Sequence, residues 1–381
     1  MQTTRREVLG AAGGGLLLVT PEIAFGSAAN SAVTFGVIGT GNRGKYVATY
    51  MTENPKARLV AVCDKYQDRL DEGKKAIPGA TSVASYLDYH ELLKQPGLDA
   101  VLITTPIFLH PEHFSAAVAA GKHVYCEKSA GVDVAGVKRV IAAGAKAAPA
   151  QSIVWGFQQR FSPEYLAAAK MKATGEHGEI VQMISYWIVG ASLFVPGGAP
   201  AKPANEDELI RRWYNYQAAC GDMVVEQDCH GIDVLNWFAG ALPLHASGDC
   251  GRKARVSGDT NDHYNVTFEY PGGLKGWLIA AQSPARPYGD VREQIFATKG
   301  SLETNRKYYR FLAADQKEWR TVNSAHEITI DAVAAFYQSI VDQKPLNMTK
   351  QAAESTLTAI LGRMACQQKR HVTWDEMFRS A

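Results

Sequence analysis

A glycine-rich turn between an apolar strand and a helix constrains the fold of this chain more than any other feature. The segment GTGNRG directly follows the β-branched run Val33–Ile38, and a helix is predicted over residues 45–53. In this G-x-G-x-x-G pattern the first glycine permits the tight turn, the second lets a pyrophosphate approach the backbone, and the third lets helix pack on strand. The helix N-terminus then faces the anion. We therefore expect a dinucleotide site that includes Gly39, Gly41, Asn42, Arg43 and Gly44.

An acidic residue at the end of the second strand indicates which dinucleotide is bound. A strand predicted over residues 58–63 ends in Asp64, twenty residues after Gly44. A carboxylate in this position accepts hydrogen bonds from both ribose hydroxyls and repels a 2′-phosphate, which favours NAD over NADP. Arg43 and Lys65 are cations that could reach a 2′-phosphate, so NADP stays open.

Strands and helices alternate through the rest of the first 150 residues. Strands are predicted over residues 98–104 and 123–126, and helices over 111–120 and 132–148, a pattern typical of a doubly wound parallel sheet. Ligands bind beyond the carboxyl ends of the strands in such sheets. We therefore expect the residues that follow these strands to line the cofactor site, namely Thr105, Pro106, His110, Glu127 and Lys128.

The second half of the chain has a different periodicity. Apolar and polar residues alternate over residues 180–189, 264–270, 274–282, 294–298 and 307–312, with turn residues between them. This pattern predicts a mostly antiparallel sheet. A polar, proline-rich connection at 196–208 is long enough to cover a substrate cleft.

Composition excludes several classes of partner. The chain has 381 residues, 46% hydrophobic and 20% charged, with a net charge of +2. Its length fits two domains. The near-neutral charge gives no electrostatic basis for binding nucleic acid.

The first 28 residues predict export. Thr4, Arg5 and Arg6 begin a twin-arginine signal, a weakly apolar run follows, and Gly26, Ser27 and Ala28 suit signal-peptidase cleavage. The run is shorter than the ~20 apolar residues that span a bilayer, so we expect no membrane association after cleavage. The predicted location is periplasmic or secreted. Because the twin-arginine route carries folded proteins and free nicotinamide cofactor is scarce outside the cytoplasm, we expect the cofactor to be tightly bound.

Seven motifs, in order along the chain, together resemble one family. They are VIGTGNRG, TTPIFLH, AGKHVYCEK, GFQQRFSPEY, EQDCHGIDVLNW, DTNDHYNVTFEYPGG and HVTWDEM. The chain is similar to the Gfo/Idh/MocA family of glucose-fructose oxidoreductases and inositol dehydrogenases. The resemblance implies a Rossmann domain at residues 32–152 and, at 153–381, an α/β domain with a large, mostly antiparallel sheet. It also implies sugar or polyol substrates oxidised at a secondary hydroxyl, and a homo-oligomer, dimer or tetramer, formed through that sheet.

Three residues are the candidates for catalysis. On a helix predicted over residues 223–238, Glu226 and His230 are four apart and Asp233 follows three later, so all three are expected on one face. The resemblance places an acid and a histidine at the first two positions, beside Lys128. A histidine can take the proton of a secondary alcohol as hydride leaves, and a lysine can stabilise the developing alkoxide. A solvated Glu226–His230 pair is the structural alternative.

Other candidates are less specific. Arg160 could bind substrate oxygens or form a structural salt bridge. Trp213 and Tyr214 suit a sugar pocket or core packing equally, and Asp233 could touch substrate or orient the helix. Asp228 stands where the family often has glycine, and Ser129 where it usually has proline. Asp228 would point away from the common face, so no metal site is expected.

Three functions remain open from the sequence. The first is a cofactor-retaining sugar oxidoreductase. The second is an NAD-dependent glycoside hydrolase that oxidises the sugar ring transiently, although its tyrosine-containing catalytic segment is not apparent in EQDCHGID. The third is a non-catalytic sugar-binding protein.

Overall fold

A computed structural model describes residues 32–190, 199–283 and 288–381. The predicted export signal at 1–28 and the first residues of the connection at 196–208 lie outside the described residues. Within the part of the chain described, no helix combines the length and apolarity needed to cross a membrane.

The first half forms the predicted parallel sheet. Its six strands are β1 Val33–Ile38, β2 Ala57–Cys63, β3 Ala84–Tyr86, β4 Ala100–Ile103, β5 His123–Cys126 and β6 Ile153–Trp155. They are arranged in the order β3-β2-β1-β4-β5-β6. Strands β1 and β4 are buried along their whole length, because helices cover both faces of a parallel sheet. The strand order reverses between β1 and β4, which is where a doubly wound sheet binds its ligand.

Five helices connect these strands. They are α1 Asn42–Glu53, α2 Gln67–Ala76, α3 Tyr89–Leu93, α4 His110–Ala119 and α5 Val134–Gly144. Each predicted helix is present, with ends shifted by a few residues. Strand β6 pairs with β5 and completes the first sheet, so the parallel sheet extends to residue 155, just past the predicted boundary at 152. All three residues of β6 are buried and apolar, so nothing in its local sequence separates it from a core segment of the second domain.

The second sheet has nine strands. They are β7 Ile180–Gly190, β8 His245–Gly251, β9 His263–Glu269, β10 Lys275–Ser283, β11 Asp290–Ala297, β12 Gly300–Thr304, β13 Tyr308–Ala313, β14 Arg320–Asn323 and β15 Val372–Thr373. Neighbouring strands are antiparallel except β7 and β10, which are parallel. In β7, Met183, Ser185 and Trp187 are buried while the residues between them are half-buried or exposed. One face of the sheet is therefore covered, and the other is open.

Eight further helices follow in the second half: α6 Pro163–Thr174, α7 Glu206–Arg211, α8 Gln217–Cys220, α9 Met223–Glu226, α10 Cys229–Ala239, α11 Thr329–Val341, α12 Thr349–Gln368 and α13 Trp374–Arg379. Helix α10 packs on the covered face of the sheet. A Cβ on Gly231 would lie 1.9 Å from the Ser185 Oγ, so the helix backbone is in direct contact with β7 at this point.

The prediction of a single helix over residues 223–238 is wrong. The chain forms α9 and α10, with an interruption at Gln227 and Asp228. Asp228 N donates to the carbonyl of Met223, five residues back, and His230 N donates to that of Gln227, three residues back. Because the regular four-residue spacing of hydrogen bonds is lost here, Glu226 does not share one helical face with His230 and Asp233.

The contact between α10 and β7 predicts the effect of a small substitution. Gly231→Ala should lower the free energy of unfolding by about 1–3 kcal/mol, because the added methyl overlaps the buried Ser185 hydroxyl. Urea unfolding of the purified variant measures this loss. Gly289→Ala is the control, since the nearest atom to its Cβ would be 3.5 Å away. If Gly231→Ala is as stable as the wild type, or Ser185→Gly does not rescue it, the packing described here is incorrect.

Candidate active site

The glycine turn has the geometry that a dinucleotide requires. Gly39 has a φ of +95°, and a Cβ there would lie 2.9 Å from the backbone of Thr104. A Cβ on Gly44 would lie 2.0 Å from the carbonyl oxygen of Gly39, which shows how closely α1 approaches the turn. Nothing lies within 4 Å of a Cβ on Gly41, so the backbone there is open to a ligand. The turn, with Asn42 at the start of α1, therefore fits a pyrophosphate.

Asp64 lies where a ribose would bind. Its carboxylate accepts hydrogen bonds from Thr40 N at 2.9 Å and from Tyr66 N at 3.1 Å, which hold it beside the glycine turn. The two cations that could favour a 2′-phosphate have partners of their own. Arg43 pairs with Glu127 at 2.7 Å, and Lys65 pairs with Glu206 at 2.7 Å.

His110 positions the two loops that follow β4 and β5. Its ring is buried, with Nε2 2.8 Å from the carbonyl oxygen of Thr105 and Nδ1 2.7 Å from that of Ser129. Burial lowers the pKa of His110. Both ring nitrogens face backbone carbonyls, and contact of His110 with the cofactor stays a prediction. Thr105 and Pro106 are half-buried in the loop that it holds.

Lys128 and Glu226 form a buried ion pair. Lys128 Nζ lies 2.7 Å from Glu226 Oε1 and also donates to the backbone carbonyl of Glu226. The side chains are 12% and 5% exposed. Burial alone would lower the pKa of Lys128, but the charge and hydrogen bond of Glu226, with smaller effects of Cys229 and Glu127, together outweigh it and the pKa is raised. Lys128 is therefore an ammonium ion. Of its three donors two are engaged, which leaves one for a substrate oxygen.

Ser129 also connects the first half of the chain to the second. The Lys128–Ser129 peptide bond is cis. Ser129 Oγ donates to the carbonyl oxygen of Val225 at 2.5 Å and lies 3.2 Å from Cys229 Sγ. Serine at this position therefore binds the end of α9 through a hydroxyl that proline could not supply.

His230 is held between aromatic rings. It stacks on Trp187, with ring centres 5.5 Å apart and planes 11° apart, and Phe157 approaches edge-on at 5.9 Å. Burial, and then the positive charges of Arg306 and Lys128, lower the pKa of His230 well below its usual value. The imidazole is therefore neutral and able to accept a proton. Its Nδ1 is buried without a partner among the described residues.

Tyr214 lies beside Glu226. Burial, and then the nearby Glu226 carboxylate, raise the pKa of its hydroxyl well above the usual range. Trp213 packs beside it, with ring centres 4.1 Å apart. Tyr214 is therefore the aromatic ring beside Glu226, and Trp213 packs against the cluster of Ala199, Tyr216 and Ala219.

Arg160 and Asp233 bind each other. Arg160 Nε lies 2.8 Å from Asp233 Oδ2, and its Nη2 lies 2.9 Å from Oδ1, which also accepts from Ser355 Oγ at 2.6 Å. Both carboxylate oxygens are thus in use, and Asp233 is buried. The structure favours the salt-bridge alternative over direct substrate contact for this pair.

Asp228 is buried near the ion pair but takes no part in it. Neither of its oxygens has a hydrogen-bond partner in the part of the chain described. Burial, and then the carboxylates of Glu226 and Asp222, raise its pKa well above the usual range. A neutral carboxylic acid is a poor metal ligand. Among residues 32–190, 199–283 and 288–381 no group of three His, Cys, Asp or Glu side chains could hold a metal ion.

Sequence reasoning missed Arg306 as a site residue. It lies in the turn between β12 and β13, and its guanidinium carbon is 5.5 Å from the centre of the Trp187 ring. No motif surrounds it in the sequence. Only the pairing of β11 with β7 and β12 brings this turn beside the ring that stacks on His230.

The family models match both halves of the chain. Residues 33–152 match the Gfo/Idh/MocA oxidoreductase family with its NAD-binding Rossmann fold, and residues 165–303 match the Gfo/Idh/MocA C-terminal domain. The chain belongs to the Gfo/Idh/MocA family of oxidoreductases.

Two relatives and one solved structure show which enzymes the chain is similar to. The chain is 28% identical over 271 residues to myo-inositol 2-dehydrogenase of Thermotoga maritima, covering 70% of this chain and 73% of the relative. It is 26% identical over 312 residues to scyllo-inositol 2-dehydrogenase (NAD(+)) of Bacillus subtilis, covering 80% of each. A levoglucosan dehydrogenase solved with NADH and levoglucosan has the same fold, with a TM-score of 0.75 at 18% identity over 90% of this chain and 99% of that one.

Proposed function

We propose that this protein is a dehydrogenase that oxidises a secondary hydroxyl of a sugar or polyol. The observation that carries the proposal is the position of two groups at the carboxyl ends of the parallel strands: Lys128 follows β5, and the ring of His230 contacts Phe157, which follows β6. Lys128 is charged and His230 is neutral. One group can donate to the substrate oxygen and the other can take its proton. The bound nicotinamide would supply the hydride acceptor.

The protein's own residues divide the work of proton transfer. Glu226 holds the Lys128 ammonium through two contacts, so that its remaining N–H can point to the substrate hydroxyl. As the proton leaves for the imidazole of His230, the ammonium stabilises the alkoxide. Burial, and then the cations around His230, keep it neutral before the reaction. Trp187 and Phe157 hold the ring in place.

The substrate class is supported by the relatives. Two are named as inositol dehydrogenases, and a structural neighbour was solved with levoglucosan, a sugar derivative. These support a polyol or sugar as the substrate. Nothing in the comparisons supports the glycoside hydrolase, and the Lys128–His230 pair disfavours a role in sugar binding alone.

Substitution of the two groups tests this assignment. Lys128→Ala and His230→Ala should each lower the rate of hydride transfer at least about a hundredfold, because each removes one half of a proton transfer. The losses should not add in the double variant. Single-turnover reduction of cofactor by myo-inositol and by hexoses measures the rate. Lys350→Ala and His371→Ala, which remove exposed residues of the same types, serve as controls. Near wild-type rates in His230→Ala would mean that another group is the base.

We also propose that the cofactor is NAD, tightly held in an exported protein. The carboxylate of Asp64 and the paired state of Arg43 and Lys65 support NAD. Support for export, to the periplasm or beyond, comes from the twin-arginine pattern at Arg5 and Arg6.

Cofactor content tests this part of the proposal. Dialysed protein should release NAD, and no NADP, on denaturation, as measured by mass spectrometry. In protein stripped of cofactor and reconstituted with NAD or NADP, Asp64→Ser should lower the preference for NAD about tenfold or more, because a charge-assisted bond to the ribose is lost. Asp71→Ser, an exposed acid on α2, should leave the preference unchanged. Bound NADP in the wild type would contradict the assignment, and cofactor-free protein with weak affinity would contradict tight binding.

The open face of the nine-stranded sheet supports a homo-oligomer, a dimer or a tetramer. Neighbouring strands place half-buried apolar side chains together there, with Ile184 beside Trp277 and Tyr186 beside Ile279. Phe296 lies on the same face, opposite Gln182. Apolar side chains grouped on an open sheet face, here interspersed with Gln182, Gln294 and Arg292, are typical of a self-complementary interface. We propose that a second copy of the chain covers it.

A further inference from the structure

We propose that Arg306 binds a carboxylate on the substrate, so that the preferred substrates are sugar acids rather than neutral sugars. This inference rests on the proposed function and specifies its substrate class. Arg306 and His230 both lie 5.5 Å from the centre of the same ring, that of Trp187. The charge of Arg306 is also the first of the three charges that act on His230, so the two groups are close enough to interact.

Arg306 has no anionic partner among residues 32–190, 199–283 and 288–381. Its Nε is buried and without a hydrogen-bond acceptor, and no residue in the described part of the chain forms an ion pair with its guanidinium. The two internal segments outside the described residues, 191–198 and 284–287, contain no Asp or Glu. A half-buried guanidinium that lacks a counter-ion is costly, and an anionic ligand would remove that cost.

The other cations around His230 are already neutralised. The three charges that lower its pKa belong to Arg306, Lys128 and Arg43. Lys128 pairs with Glu226 and Arg43 pairs with Glu127, each at 2.7 Å. Arg306 is therefore the excess positive charge on this side of the site. A substrate with one negative charge would balance it.

The carboxyl of Glu293, on the neighbouring strand, does not take this role. The positive charge of Arg306 interacts with the Glu293 carboxyl over a distance, but the two groups form no ion pair. Glu293 Oε2 instead accepts from Tyr165 and Thr304, each at 2.9 Å. Burial raises the pKa of Glu293 to about 7, so near neutral pH a large share of it is uncharged.

The chemistry of the group favours a carboxylate over a phosphate. A guanidinium presents a planar pair of donors that matches the two oxygens of a carboxylate. A single guanidinium also balances the single charge of a carboxylate, whereas a phosphate ester carries about two charges at neutral pH. The expected ligand is therefore a uronic or aldonic acid with a secondary hydroxyl.

Matched pairs of sugars test the inference. Single-turnover reduction of the bound cofactor is followed for glucose and glucuronate, galactose and galacturonate, and glucose 6-phosphate. In the wild type each acid should be used at least about tenfold more efficiently than its neutral partner, since a charge-assisted bidentate contact has this effect or more. Arg306→Gln should abolish most of that preference, and Arg306→Lys should retain part of it. Lys307→Gln removes an exposed charge from the same turn and should leave the preference intact.

Each outcome has one meaning. A wild type that prefers neutral sugars, or an Arg306→Gln variant that keeps the preference for acids, overturns the inference. If glucose 6-phosphate is used more efficiently than both glucose and glucuronate, the ligand of Arg306 is a phosphate and the proposed carboxylate is wrong. A lower melting temperature in Arg306→Gln with an unchanged preference assigns the residue to stability alone and also overturns the inference.

Binding separates this inference from the proposed function. If no sugar or acid reduces the cofactor, the proposed dehydrogenase has failed, and calorimetry with glucuronate and glucose decides the role of Arg306. Tighter binding of glucuronate by the wild type, lost in Arg306→Gln, retains the carboxylate site. Equal binding of the two ligands rejects it.

Discussion

The buried pair of Lys128 and Glu226 connects the two halves of the site. Lys128 follows a strand of the parallel sheet, and Glu226 ends a short helix of the second half. Both are nearly excluded from solvent, so each needs the other: a buried charge without its partner costs several kcal/mol. Ser129 and His110 extend the connection, the first by donating to α9 and the second by linking the loops after β4 and β5. The ammonium is therefore positioned by both halves, and the interruption between α9 and α10 lets Glu226 reach it while His230 stays against Trp187.

The fold was largely predictable because its main signals are local. The glycine turn, the buried strands and the alternating strands of the second half all follow from short-range patterns, and the order of the six parallel strands agrees with them. Predictions failed where tertiary contacts override the pattern. β8 is a strand despite the glycines in HASGDCG, because α12 packs over it and β9 pairs with it. The break at Gln227 is also set by tertiary contacts, since Gln227 Oε1 accepts from Trp187 and Gln282.

The site was predictable where motifs carry it and not where distant strands do. Lys128, Glu226 and Tyr214 come together, and Asp64 lies beside the glycine turn, as the sequence indicates. Spacing alone could not show that Arg160 and Asp233 neutralise each other, because they lie on separate elements. Arg306 reaches Trp187 only through the order of β7, β11 and β12, which the alternating pattern does not specify. The charge balance around His230 therefore became visible only in three dimensions.

The pH dependence of hydride transfer tests the central claim most directly. The claim is that a neutral His230 accepts the proton beside a charged Lys128. The pKa of His230 lies well below 6.5 because of burial and nearby cations, so the base stays unprotonated as the pH falls past that value. Burial opposes the charge of Lys128, but the negative groups around it, chiefly Glu226, together outweigh burial and raise the pKa above 10.5, so the ammonium persists into alkaline solution. The rate of single-turnover hydride transfer should therefore stay constant from well below pH 6.5 to above pH 10.5. An acidic limb centred at or above pH 6.5 that disappears in a His230 variant would contradict this account.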